Sequence, residues 1–313
     1  MTYFYLLLIF ILVAPHAQAV VYSNGINRSA WKTSASPTQC DIWQDIPHYG
    51  RAVFRTRAGE KSVFFLESTS SKFNAGAANI KARPPVWYNR EASDKHNLGV
   101  VPIKRGKRPL WLASSWAELL VDKLKTGKDI VVAQNRWFDT TNQLSEVEVT
   151  PIGFTEQYKK YLMCLPGLIE ANFDQLRRTA LLFKVGDIDK LSPSVQKTLD
   201  QILELAKHEK TIRTLYIDGH TDGLGPRVDN LALSKKRAEM VAQYLTKRGI
   251  PQDWLKVRWH GERYPVASNA TKQGQAKNRR VTIRLEKSDD AQAYDYASAN
   301  AQKRAASMSQ PMQ

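Results

Sequence analysis

Two periodicities divide the chain. Up to about residue 165 the apolar positions tend to alternate. "YGRAVFRTR" (49–57), "KSVFFLEST" (61–69), "KDIVVAQNRWF" (128–138) and "SEVEVTPIGF" (145–154) are rich in Val, Phe and Thr, the pattern of half-buried strands. One stretch breaks the alternation. "SSWAELLVDKLKTG" (114–127) places Trp116, Leu119, Leu120 and Leu124 on one helical face, with Ser114 or Ser115 as N-cap and Gly127 as the stop. From residue 168 onward, strand and helix patterns alternate. "PSVQKTLDQILELAKHE" (193–209) is amphipathic, with Val195, Leu199, Ile202, Leu203, Leu205 and Ala206 at helical spacing and Pro193 in its first turn. "TLYIDGHTD" is a strand entering a turn, and "SKKRAEMVAQYLTKRG" is a helix capped by Ser234 and stopped by Gly249. "WLKVRWHG" and "RRVTIRLE" are the last strands.

This order predicts an α+β protein. A β-rich N-terminal domain with one short helix precedes an α/β sandwich whose helices lie on one face of the sheet. The length of 313 residues suits about two domains. The expected divisions are 1–19, 20–166, 167–287 and 288–313, with Pro166-Gly167 as the seam. The last segment is polar, small and without periodicity, so it is expected to be a disordered tail.

The opening "MTYFYLLLIFILVAPHAQAV" changes the picture most. Residues 3–14 form an apolar run of signal-peptide length, and "AQA" at 17–19 is a small-x-small cleavage site. No Lys or Arg precedes the run. The alternative, an uncleaved anchor, is opposed by Pro15 and by a run shorter than the ~20 residues a membrane span needs. A periplasmic, exported chain is therefore expected. In that oxidising setting Cys40 and Cys164, the only cysteines, read as one disulfide, with two buried free thiols as the alternative.

The formal net charge is +16 and evenly spread. Residues 20–164 carry 21 Lys+Arg against 13 Asp+Glu, and residues 165–286 carry 22 against 14. Such a bias favours acidic partners. Export removes nucleic acid and leaves acidic cell-wall polymers. The basic loop "KRGKRP" (104–109) is either a solvated surface loop or a contact for an acidic surface. No "GxSxG", "HExxH", P-loop or Cys–His arrangement is present, and the six histidines have no ligand spacing. Neither an enzyme, nor a cofactor, nor a metal is indicated. A membrane barrel would need about eight strands of 9–11 residues in 20–165, which the 114–127 helix and scattered charges do not leave.

The candidate chemistry lies in "GHTDGLGPRVDNLALSKKRAEMVAQYL" (219–245). Thr221 and Asp222 leave a strand end in a glycine-rich turn. If Ser234 caps the next helix, Arg237 sits in its first turn, where helix amides and a guanidinium together suit a carboxylate. Asp222 beside it suits an ammonium, so the pair suits a zwitterion. The plainer reading is that Asp222 and Arg237 pair with each other. His220 is expected to serve packing or a turn hydrogen bond.

"GHTD", "N-x-x-LS-x-x-RA" (230–238), "G-E-x-x-P" (261–265) and "NRRV" (278–281) together resemble the peptidoglycan-binding domain of the OmpA family, over about residues 170–286. The resemblance implies that Asp222 takes the ammonium and Arg237 the carboxylate of meso-diaminopimelate in the stem peptide. Thr221, Asn230, Leu233, Asn278 and Arg280 would line the pocket. "SPTQCDIWQDIPHYGRAVF" (36–54), "RPPVWY" (83–88) and the two cysteines resemble the MotY family, T-ring proteins of sodium-driven polar flagellar motors. That likeness implies a periplasmic structural component at the basal body. Its partners would be peptidoglycan, a MotX-like ring protein and the stator subunits. A cell-wall tether unrelated to flagella is the alternative.

Overall fold

The computed structural model describes residues 20–25, 30–69, 75–84, 96–135, 144–186 and 190–288. The expected signal peptide, the tail beyond residue 288 and most of "RPPVWY" lie outside the described residues. The chain forms two compact units. The first comprises residues up to Ala35, Cys40–Thr56 and Lys61–Leu165. The second comprises Ser36–Gln39, Arg57–Glu60 and everything from Pro166.

The first unit holds two five-stranded sheets. One has the order β1 (Val20–Tyr22), β10 (Leu144–Val149), β9 (Asp129–Asn135), β6 (Gly76–Arg83), β7 (His96–Ile103). The other has the order β2 (Trp31–Ser36), β3 (Gln39–Ile46), β4 (Gly50–Arg57), β5 (Val63–Ser68), β8 (Leu110–Leu112). Alternation along β4 and β5 sends Phe54 and Phe64 inward, where their rings meet at a tilt with centroids 4.7 Å apart. Trp31 and Phe154 complete this aromatic core at 4.8 Å from each other, and the Trp31 indole donates to the Thr150 carbonyl at 2.9 Å. Burying such rings contributes about 1.5–3 kcal/mol each.

The short helix α1 spans Ser114–Lys125 and buries Ala117, Leu120 and Leu124. Its N-cap is Ala113, without a side-chain cap bond, so neither Ser114 nor Ser115 fills the expected role. The expected strand 145–154 stops at Val149. Gly153, in the left-handed region (φ 74°), starts a helix α2 over Phe154–Cys164 that the alternation conceals. Cys164 at its end is bonded to Cys40 on β3, with Cα atoms 6.0 Å apart.

In the second unit a short helix α3 (Phe173–Leu176) opens with a capping box. The Asn172 side chain accepts from Gln175 N, and its own amide is bonded by the Gln175 side chain. The sheet has the order β11 (Arg178–Leu182), β14 (Arg280–Lys287), β12 (Ile212–His220), β13 (Leu255–Trp259). β12 runs parallel to β13 and antiparallel to β14. Leu215 and Ile217 of β12 and Val281, Ile283 and Leu285 of β14 face α4 (Pro193–His208) and α5 (Arg227–Thr246) in one core. The other side of the sheet is polar, with Arg258 gripping Asp218 through two bonds of 2.7 and 2.9 Å. Helices on one face are thus borne out. α4 keeps its expected face and takes Ser192 as N-cap. A last helix, α6 (Lys272–Asn278), precedes β14.

α5 departs from expectation. It starts at Arg227 after Pro226, not after Ser234. Ser234 is fully buried inside the helix; its hydroxyl donates to Leu231 O at 2.8 Å and accepts from Gly261 N at 3.0 Å. Helix and sheet meet closely here because Gly219 has no side chain. A Cβ there would collide with the Ser234 carbonyl and lie 3.2 Å from the Ala238 Cβ.

Two predictions follow from the first unit. The disulfide closes a loop of 124 residues, so Cys40→Ser with Cys164→Ser should remove about 4–5 kcal/mol of stability. Denaturant midpoints of the two proteins check this; coincident midpoints would show that the bridge stabilises nothing. The second concerns Asp129, 1% exposed, whose pKa is raised to about 7 by burial first and then by Glu148, against the opposing pull of Arg83. Folding favours its protonated form. The stability it contributes is complete below about pH 4 and is lost as pH rises towards 7. Asp129→Asn should therefore be more stable than the parent at pH 8, by on the order of 4 kcal/mol, with a higher melting temperature, and the difference should shrink as pH falls to 4. A difference in melting temperature independent of pH would contradict this.

Candidate functional site

β12 delivers Thr221 and Asp222 at its C-terminal end, from a central strand rather than an edge. Thr221 is 2% exposed. Its amide donates to Gly261 O at 3.0 Å, while its hydroxyl oxygen is buried with no hydrogen-bond partner among the described residues. The Asp222 carboxylate is also largely covered. Oδ2 accepts from Arg279 Nη1 at 2.7 Å, and Oδ1 accepts only a long bond of 3.4 Å from Leu224 N. Asp222 therefore pairs with Arg279, not with Arg237 as the plainer sequence reading held.

Arg279 lies between α6 and β14, and its Nε donates to the Phe183 carbonyl at 3.2 Å. The Phe183 ring meets the Arg237 guanidinium, 5.2 Å from centroid to central carbon. Arg237 Nη2 also reaches Lys184 O at 3.5 Å. Asp222 and Arg237 are thus joined through one short segment, Phe183–Lys184, which follows β11. Arg237 sits about three turns inside α5, not in the first turn. The open amides at the start of α5 are therefore not its neighbours, and the expected carboxylate site at the helix start is not formed there. The guanidinium is 1% exposed, with the ring face supplying a cation–π contact.

The remaining sequence-predicted residues divide by role. Asn278 is fully buried and satisfies all its bonding capacity internally. Its Oδ1 accepts from Val266 N (2.8 Å) and Ala267 N (3.1 Å), and its Nδ2 donates to Ala267 O (2.8 Å) and Asn269 Oδ1 (2.7 Å). It staples the loop before α6. Arg280 donates to the Tyr264 and Asn278 carbonyls at 3.1 and 3.4 Å, also a loop-holding role. Asn230 Nδ2 donates to Leu224 O at 3.0 Å and closes the turn after Asp222. Leu233 is half-buried. Sequence reasoning missed Arg279 and Phe183, the two residues that connect the pair. Arg279 stands in "NRRV", yet alternation alone does not say which arginine faces the turn.

His220 stacks on His260 at 5.1 Å, and His260 Nε2 lies 3.0 Å from Asp218 Oδ1. Burial first, then the nearby Arg280 and His260, push the His220 pKa down to about 4. It is neutral near pH 7, a packed ring as expected. Among the described residues no group of three or more His, Cys, Asp or Glu is placed to hold a metal ion.

Comparison with known proteins finds matches in both parts of the chain. Residues 22–169 match the MotY N-terminal domain, and residues 182–279 match the OmpA family. The chain is 27% identical over 262 residues to the sodium-type flagellar protein MotY of Vibrio parahaemolyticus, covering 82% of this chain and 87% of that one. It is 37% identical over 101 residues to outer membrane protein A of Bordetella avium, covering 32% of this chain and 52% of the relative. Among solved structures, the C-terminal domain of Helicobacter pylori MotB is similar at 18% identity and a TM-score of 0.33, over 40% of this chain and 96% of that one. The chain thus matches the MotY N-terminal domain in its first part and the OmpA family in its second.

Proposed function

We propose that the second unit binds peptidoglycan non-covalently through meso-diaminopimelate, and that the chain thereby anchors a flagellar motor to the cell wall from the periplasm. The observation that carries the reading is a coincidence of extents. The OmpA-family match runs from Leu182 to Arg279 and so contains the whole cluster of Phe183, Asp222, Arg237 and Arg279. Asp222 receives the ligand ammonium through Oδ1, the oxygen that Arg279 leaves nearly unused. Arg279 holds the carboxylate in place and keeps it from turning inward. Arg237 receives the ligand carboxylate with a two-pronged guanidinium, which a lysine would not reproduce. Because that guanidinium is covered, docking requires the segment after Phe183 to give way. Thr221 offers its unpartnered hydroxyl. Asn230, Leu233, Asn278 and Arg280 shape the turn and loop around the ligand.

The first unit, bridged by Cys40–Cys164, is the part that joins the T ring, beside a MotX-like partner and close to the stator units. This assignment draws on the MotY likeness across most of the chain. A cell-wall tether outside the flagellum is the second reading, favoured by OmpA-domain relatives such as the outer-membrane lipoprotein YfiB of Pseudomonas aeruginosa, 38% identical over 98 residues.

Asp222→Asn and Arg237→Lys should each reduce retention on purified peptidoglycan about tenfold or more, the scale of a lost charged hydrogen bond. Circular dichroism should show an intact fold. Retention equal to the parent would remove the site assignment. For the cellular role, a deletion strain should lose swimming, and the tagged protein should co-purify with basal bodies. Normal swimming would transfer the argument to the non-flagellar tether.

A further inference from the structure

A second cleft, about 310 Å³ in volume, adjoins the proposed diaminopimelate site. Arg227, Leu231, His260, Gly261, Glu262 and Arg263 line it. Gly261 connects the two places. Its carbonyl accepts from the Thr221 amide at 3.0 Å, and its own amide donates to Ser234 Oγ at 3.0 Å. What lines the cleft is chemically incomplete. Among the described residues, neither the Arg227 nor the Arg263 guanidinium has an ion pair or hydrogen bond, whereas Arg258, Arg279 and Arg284 of the same unit are each paired with a carboxylate. Glu262 Oε2 is buried and has no donor. A buried acceptor without a donor is costly, and a ligand N–H would relieve that cost. Two idle guanidinia and one idle acceptor lining one cleft suit a group that carries a free carboxylate next to an amide N–H. Such a group is a peptide residue with an unlinked carboxylate.

We propose that this cleft binds a second free carboxylate of the same stem peptide whose diaminopimelate occupies the Asp222 site. Arg227 and Arg263 take the carboxylate, and Glu262 takes the adjacent amide N–H. The positive end of α5, which begins at Arg227 behind a proline that offers no side-chain cap, adds to the attraction. The inference rests on the diaminopimelate reading. It makes the domain a reader of two charges set at a fixed spacing along the peptide, with selectivity for the amidation state of the wall.

Two positions supply such a carboxylate: the γ-linked glutamyl residue before diaminopimelate, or a terminal alanine after it. Calorimetric titration of the full chain with three soluble peptides separates them. The first is L-Ala-γ-D-Glu-meso-diaminopimelate, the second its glutamyl α-amide, and the third the tripeptide extended by D-Ala. Weaker binding of the amide, by roughly fivefold, assigns the glutamyl carboxylate. Stronger binding of the extended peptide, by a similar factor, assigns the alanyl one. In either case Arg227→Gln with Arg263→Gln should abolish the difference while still binding the tripeptide, and the difference should shrink as salt is raised. Both positions are exposed, so the double variant should fold as the parent does. Equal binding of all three peptides by the parent, or a difference that survives in the double variant, overturns the second subsite alone. Failure of the parent to bind the tripeptide, or undiminished binding by Asp222→Asn, removes the diaminopimelate reading and this one with it.

Discussion

One ion pair fixes the geometry on which the second unit's chemistry depends. Asp222 and Arg279 meet at 2.7 Å with side chains only 9% and 13% exposed. Neither charge is well placed to exchange its partner for water, and removing one would leave the other buried at a cost of about 3–5 kcal/mol. The pair does more than neutralise charge. Through its second nitrogen Arg279 holds the carbonyl that follows β11, so the ends of β11, β12 and β14 are tied at one point. The same short segment carries the aromatic ring against which Arg237 lies. The stability of this corner and the recognition proposed for it draw on the same few groups. A substitution meant to probe binding will therefore also disturb folding unless its charge or shape is conserved.

The surroundings follow the same logic of satisfying polar groups before offering them. Asn278 spends every donor and acceptor on the loop before α6, and Asn230 closes the turn after Asp222. Among the described residues near the turn, the Thr221 hydroxyl and one oxygen of Glu262 have no partner, and Asp222 Oδ1 has only one long bond. In a domain this well bonded, such residual valences are the places where a ligand gains most.

Some of this was legible in the sequence. α4 could be read position by position, because its apolar residues recur at helical spacing and its cap is a serine before proline. The paired cysteines and the sheet with helices on one face also followed from composition and element order. The start of α5 did not. Its first two turns, "RVDNLAL", mix polar residues with exposed apolar ones, and a buried serine inside a helix looks in sequence like a serine ahead of one. Pro226 and the acidic Asp229 in the first turn were the available signals. In the first unit, β6 ("GAANIKAR") and β7 ("HNLGVVPI") carry Gly, Asn and Pro, residues that strands usually avoid. Only their neighbours in the sheet make strands of them. The Arg279 connection depended on register: β11 pairs Leu182 with Arg280, which sets the preceding arginine beside Phe183, and no local pattern states that pairing.

The second unit is not continuous in sequence. It includes the tight turns at Ser36–Gln39 and Arg57–Glu60, and Asn172 depends on them. Its Nδ2 donates to Ala58 O at 2.8 Å and to Glu60 Oε1 at 2.7 Å, and Ile169 N donates to Pro37 O at 2.9 Å. A chain cut ahead of residue 166 would therefore expose an amide shaped to be enclosed and lose both acceptors at once. The second unit therefore cannot complete its fold from its own continuous stretch alone, but needs two pieces that precede it by more than a hundred residues.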